Sequence, residues 1–143
     1  MQRSIPILAI LLATAVTATA GSAADMPKGA LCALVDIQEC DAGAACEKVT
    51  AEDIAVPRFI RVEIGKRTLQ GVGPRARDRI TKIRSVDQRG DVVFASGVDD
   101  QIEGQRPALA WILALDAQDG SMQLTVTGQD TSFIASGECV MDK

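Results

Sequence analysis

Leu109-Ala110-Trp111-Ile112-Leu113-Ala114-Leu115, then Asp116-Ala117-Gln118-Asp119-Gly120, then Met122-Gln123-Leu124-Thr125-Val126-Thr127 is the stretch that decides the fold class. Leu109, Trp111, Leu113 and Leu115 alternate with Ala108, Ala110, Ile112 and Ala114, the two-residue period of a β-strand. Because both faces are apolar, this is read as the central strand. The polar run from Asp116 to Gly120, with glycine placed for a left-handed conformation, predicts a hairpin turn. Met122, Leu124 and Val126 then face one way on the returning strand and Gln123, Thr125 and Thr127 the other.

The same alternation extends outward in both directions. Ser132 to Cys139 reads as a final strand, with Phe133 and Ala135 opposed to Ile134 and Ser136. Val92 to Val98 and Arg79 to Val86 pair across an Asp87-Gln88-Arg89-Gly90 turn. Arg58 to Ile64 carries Ile60, Val62 and Ile64 on one side, turns at Gly65-Lys66, and returns through Thr68 to Val72. Leu31 to Gln38 is the first strand, with Leu31, Ala33, Val35 and Ile37 assigned to one face. Thr50-Ala51-Glu52-Asp53 has a cap and first-turn acids, and Pro57 stops it, which predicts one short helical turn. The expected fold is all-β: a small antiparallel barrel or barrel-like sandwich of seven to eight strands, stapled by disulfides.

The amino terminus carries a different signal. Arg3, an apolar run from Ile5 to Val16 and the small residues Ser22-Ala23-Ala24 have the layout of an export signal. Residues 1–24 are therefore read as signal peptide and 25–143 as a single β domain. Pro6 and the many Thr and Ala residues make the apolar run a poor membrane span, and no later stretch is long enough for one. A periplasmic or secreted location follows, and with it a structural use for the four cysteines.

Cys32, Cys40, Cys46 and Cys139 allow three pairings. On one straight strand Cys32 and Cys40 would lie roughly 26 Å apart, against the 5–6 Å between Cα atoms that a disulfide needs. Cys40–Cys46 closes a small flexible loop, leaving Cys32–Cys139 to tie the first strand to the last. Cys32–Cys46 with Cys40–Cys139 remains open if residues 31 to 50 form a hairpin. No Cys-x-x-Cys occurs, and no metal site is expected.

Composition limits the chemistry. The chain has no His, Tyr or Asn, so an imidazole base and every Ser-His or Cys-His arrangement are excluded. No cofactor is expected. Only Trp111, Phe59, Phe94 and Phe133 are aromatic, so the core rests on Val, Ile, Leu and Ala. Removing Arg3 with the signal takes the net charge from −4 to −5, which is unlike a nucleic-acid binder. Residues 58–84 nevertheless carry nine basic side chains against Glu63 and Asp78, a local +7 between two acidic segments.

Lys66, Arg67, Arg75, Arg77 and Arg79 read as an anion site at one end of the barrel, for anionic lipid, a glycan or an acidic protein. They also read as outward strand residues paired with acidic neighbours. Asp99, Asp100 and Glu103 are the acids available to a carboxylate-only hydrolase. Trp111 reads as core or as the wall of a ligand pocket.

Trp111-x-Leu113-x-Leu115-Asp116, Gly120-x-Met122-x-Leu124, Phe133, Gly137-x-Cys139, the Cys40-to-Cys46 loop and Pro57-Arg58-Phe59 together resemble small secreted proteins of proteobacteria. No activity is known for that group, so the resemblance implies a scaffold and transfers no catalytic residue. The expected function is non-enzymatic. It is that of an exported soluble binding or interaction protein of the cell envelope, with Arg67, Arg75, Arg77, Arg79 and Trp111 as candidate ligand contacts. An inhibitor of a secreted or cell-wall hydrolase and a carboxylate-only hydrolase are the alternatives.

Overall fold

A computed structural model describes residues 25–73, 80–99 and 108–142. The expected signal peptide at 1–24 lies outside them. Nine strands follow in chain order: β1 (Gly29–Asp41), β2 (Glu47–Val49), β3 (Phe59–Glu63), β4 (Thr68–Val72), β5 (Ile80–Arg89), β6 (Val92–Asp99), β7 (Leu109–Asp116), β8 (Ser121–Thr127) and β9 (Thr131–Met141). Every pairing is antiparallel, and β3 to β9 form an unbroken meander.

The sheet closes because β1 pairs with β9 along one edge, from Ala30 opposite Met141 to Asp41 opposite Thr131. The other edge of β1 pairs with β3 over residues 29–33. Further along, Ile37, Gln38 and Glu39 pair with the short β2. The result is a closed barrel of eight strands with β2 as an extra strand, so the sandwich alternative gives way to a barrel. Pairing of β1 with both β9 and β3 joins the two outer edges that an open sheet would expose.

The β7–β8 hairpin forms at the residues read for it, although in a closed barrel β7 is not a central strand. Trp111, Leu113, Leu115, Met122 and Leu124 point into the barrel, and Ile112 points out. Gly120 turns the chain at φ 82°, and its carbonyl accepts the Cys139 amide at 2.7 Å. Ile60 and Val62 on β3 are likewise buried.

Three expectations need correction. In β1 the inward residues are Ala30, Cys32 and Leu34, whereas Leu31 and Val35 are 39% and 71% exposed. Cys32 faces inward because it stands directly opposite Cys139 and bonds to it. Opposed residues can be joined only if both side chains leave the same face of the sheet. A bulge between Leu34 and Asp36 inserts Val35 as an unpaired extra residue. It switches the phase and returns Ile37 to the interior, 4% exposed.

The second correction concerns the 87–90 turn. β5 continues to Arg89, which pairs with Val92, so only Gly90 and Asp91 make the turn. Another bulge, between Ile83 and Ser85, again changes which residues face inward. The third concerns the number of strands, since Glu47–Val49 pairs with β1 where no strand was read.

At the predicted helical turn, Thr50 and Asp53 make the reciprocal bonds of a capping box. Asp53 N donates to Thr50 Oγ1 at 3.2 Å, and Thr50 N donates to Asp53 Oδ2 at 2.9 Å. Residues 51–55 form turns, and the described residues contain no helix. Val56 N closes onto Ala51 O at 2.9 Å while Ala55 takes φ 53°, so the chain reverses instead of winding further.

Both disulfides are those preferred from spacing. Cys32–Cys139 joins β1 to β9 inside the barrel, and Cys40–Cys46 closes the loop that brings β2 onto β1.

Candidate functional site

Eight strands enclose an interior just wide enough to be filled by side chains or to hold one small molecule. Here the two ends differ. At the end where β1 begins, Val62, Ile83, Val93, Leu113, Leu115, Met122 and Cys32 fill the space and are all buried. At the opposite end, where β1 finishes and β9 starts, a cavity of about 240 Å³ remains.

The cavity follows from which residues point inward at that level. Gly71 on β4, Thr81 on β5 and Ala135 on β9 are short, and they leave space that the aliphatic residues around them do not fill. Leu34, Ile37, Ile60, Leu69, Leu124 and Val126 form the barrel wall. Ile54, Val56 and Pro57 reach in from the segment between β2 and β3 and cover one side. Ala51, 6% exposed, anchors that segment to the core. Phe133 and Trp111 are the two aromatic walls.

Trp111 is 5% exposed and is both core and wall. It stands opposite Gly97 in the β6–β7 register. A Cβ at position 97 would come within 2.5 Å of Trp111 Cζ2, so only glycine leaves room for the indole there. The indole Nε1–H donates to Thr81 Oγ1 at 3.4 Å, and Thr81 Oγ1 donates to Val98 O at 3.4 Å. Asp99, at the end of β6, is the one carboxylate among the described lining residues.

The predicted site residues are distributed as follows. Trp111 lies in the cavity wall. Arg67 lies at the filled end, in the turn between β3 and β4 at φ 54°, and its guanidinium donates to the Arg84 carbonyl at 3.1 Å. Gly73 and Ile80 are at the other end of the barrel, separated from Arg67 by the length of β4. Arg75, Arg77 and Arg79 lie outside the described residues. So do Asp100 and Glu103, and of the three acids considered for hydrolysis only Asp99 is described. Among the described residues no group of three or more Asp, Glu, Cys or His side chains gathers as a metal site.

Leu69, Thr81, Phe133 and the Ile54-Val56-Pro57 cover were missed as a site by reading the sequence. Ile54 and Val56 beside Pro57 were the available signal, since they are apolar residues in a segment read as one short helical turn.

The capping box beside the cover includes a titratable carboxyl group. Asp53 is held below the ordinary carboxylate range, chiefly by the Thr50 hydroxyl and then by the Thr50 amide. A depressed folded value adds stability above the unfolded value of about 3.9, and that stability is lost as pH falls through the lower folded value. The melting-temperature gap between wild type and Asp53→Ala is therefore expected to be present at pH 6 and to shrink between pH 4 and pH 2. A gap independent of pH would show that the charge of Asp53 contributes nothing.

Fold and cavity together define a closed eight-stranded antiparallel β-barrel with an apolar cavity at one end. No family model, curated protein or solved structure matches the chain. Among the described residues no helix is long and apolar enough to cross a membrane.

Proposed function

We propose that the chain is an exported, soluble binding protein of the cell envelope that holds one small apolar molecule in the barrel. The observation that carries this reading is the 240 Å³ cavity walled by aliphatic residues, Phe133 and Trp111. Interiors are ordinarily packed with few voids larger than a water molecule. An enclosed apolar void of roughly 150 Å³ takes up benzene, so an apolar-lined pocket of about 240 Å³ has room for an apolar guest. The two disulfides fit the exported location. Relative to the anionic partner expected from the basic segment, the apolar guest has the advantage of a described cavity.

The chain contains a single tryptophan, and it lines the cavity, so its emission reports directly on occupancy. Titration with toluene is expected to change Trp111 fluorescence saturably, at one equivalent per chain. A flat response, together with no binding by calorimetry, would sink the proposal.

A further inference from the structure

We infer that the preferred guest is a small neutral alcohol, with its hydroxyl placed at the Trp111–Thr81 pair and its hydrocarbon part among the aliphatic walls. This rests on the binding function proposed above and specifies the ligand of the same site.

The argument starts from two long hydrogen bonds. Ordinary N–H···O and O–H···O bonds cluster near 2.9 and 2.8 Å. The Trp111-to-Thr81 and Thr81-to-Val98 contacts are both 3.4 Å. The indole N–H therefore reaches its acceptor weakly, in a place where an unsatisfied donor is costly. Both residues line the cavity.

A guest hydroxyl completes this chain in one direction. Its oxygen accepts from Trp111 Nε1–H, its proton goes to Thr81 Oγ1, and Thr81 continues to donate to the Val98 carbonyl. A ketone satisfies the indole but brings no donor for Thr81. A carboxylate has to give up its hydration in an apolar cavity, which costs far more than burying a hydroxyl. The partners it would meet in this pair are neutral, and Asp99 adds a second carboxylate to the same wall. Scaling from benzene in roughly 150 Å³ gives a guest of about ten heavy atoms, the size of a medium-chain or monoterpene alcohol.

The test compares 1-octanol, octanoate and toluene at pH 7 by Trp111 fluorescence and calorimetry, on wild type and on Thr81→Val. The variant keeps the shape of the side chain and removes the hydroxyl. Octanol is expected to bind at least tenfold more tightly than octanoate. Thr81→Val is expected to weaken octanol three- to tenfold and leave toluene within twofold. Octanoate equal to octanol, or a variant that weakens octanol and toluene alike, overturns the alcohol assignment while bound toluene upholds the cavity as a site. Failure of all three ligands to bind wild type overturns both.

Discussion

Replacing Cys32 and Cys139 together by alanine is expected to remove about 4–5 kcal/mol of stability, close to the whole margin of a small domain. The bond spans 107 residues, so in the reduced chain the unfolded ensemble regains almost the freedom of the full domain. Its position adds a second effect. β1 and β9 are the first and last barrel strands, and their pairing is what closes the sheet. Loss of the crosslink leaves closure to hydrogen bonds and packing, and folding then depends on the two ends of the chain finding each other.

The double variant of Cys40 and Cys46 serves as the internal comparison. Those residues are six apart, and the same chain-entropy reasoning gives about 2 kcal/mol. Urea denaturation of both variants should therefore rank the seam bond well above the loop bond. Equal losses, or the reverse order, would show that the seam is held by the β1–β9 ladder itself. Ligand binding should follow the same order, because Leu34 and Ile37 on β1 and Ala135 on β9 are cavity wall on either side of the seam.

The second large effect is on binding. Ala135→Phe is expected to reduce toluene and octanol affinity at least tenfold while leaving the melting temperature unchanged or higher. Ala135 is 4% exposed and stands between Leu124 of β8 and Ile37 of β1. Its small side chain is one reason that the cavity exists. An added ring enters space that is already empty, so the gain from filling, commonly +0.5 to +2 kcal/mol, applies in place of the about 1–3 kcal/mol cost of overpacking a dense core. Thermal melts and Trp111 titrations on the same preparation separate the two quantities. A stable variant that still binds both ligands would place the guest elsewhere on the protein.

The segments most easily read from sequence were those where one period runs uninterrupted. β7 and β8 alternate cleanly from Leu109 to Thr127 around a turn that glycine completes, and their inward residues are the ones read from the pattern. β1 shows the opposite case. Leu31, Ala33, Val35 and Ile37 alternate just as cleanly, yet Leu31 and Val35 face outward. A bulge changes the phase within the strand, and a two-residue period carries no record of where an extra residue will be accommodated. The cysteine at position 32 held the missing information. Once it is paired with Cys139 directly across the ladder, the face of every neighbour up to the bulge follows.

The candidate site was legible only in Trp111. Arg67 is placed at the filled end, whereas Arg75, Arg77 and Arg79 lie outside the described residues. In an up-and-down barrel, one strand carries the chain from one end to the other. Arg67 and Gly73 are near in sequence and stand at opposite ends of β4. The cavity has the converse property, because Leu34, Ile54, Leu69, Thr81, Trp111 and Phe133 belong to distant segments and meet only through closure.

What the sequence determined by itself was therefore local or compositional: the all-β class, the Asp116–Gly120 turn and the hairpin around it, the preferred disulfides and the exclusion of imidazole chemistry. Each depends on residue identity or on spacing within a strand and its neighbour. Tertiary structure alone decided that the sheet closes, where β1 bulges, and that the filled end and the hollow end are different. Those outcomes depend on whether side chains arriving from eight strands sum to the volume of the interior. At the hollow end Gly71, Thr81 and Ala135 fall short together, and no single one of them carries that information.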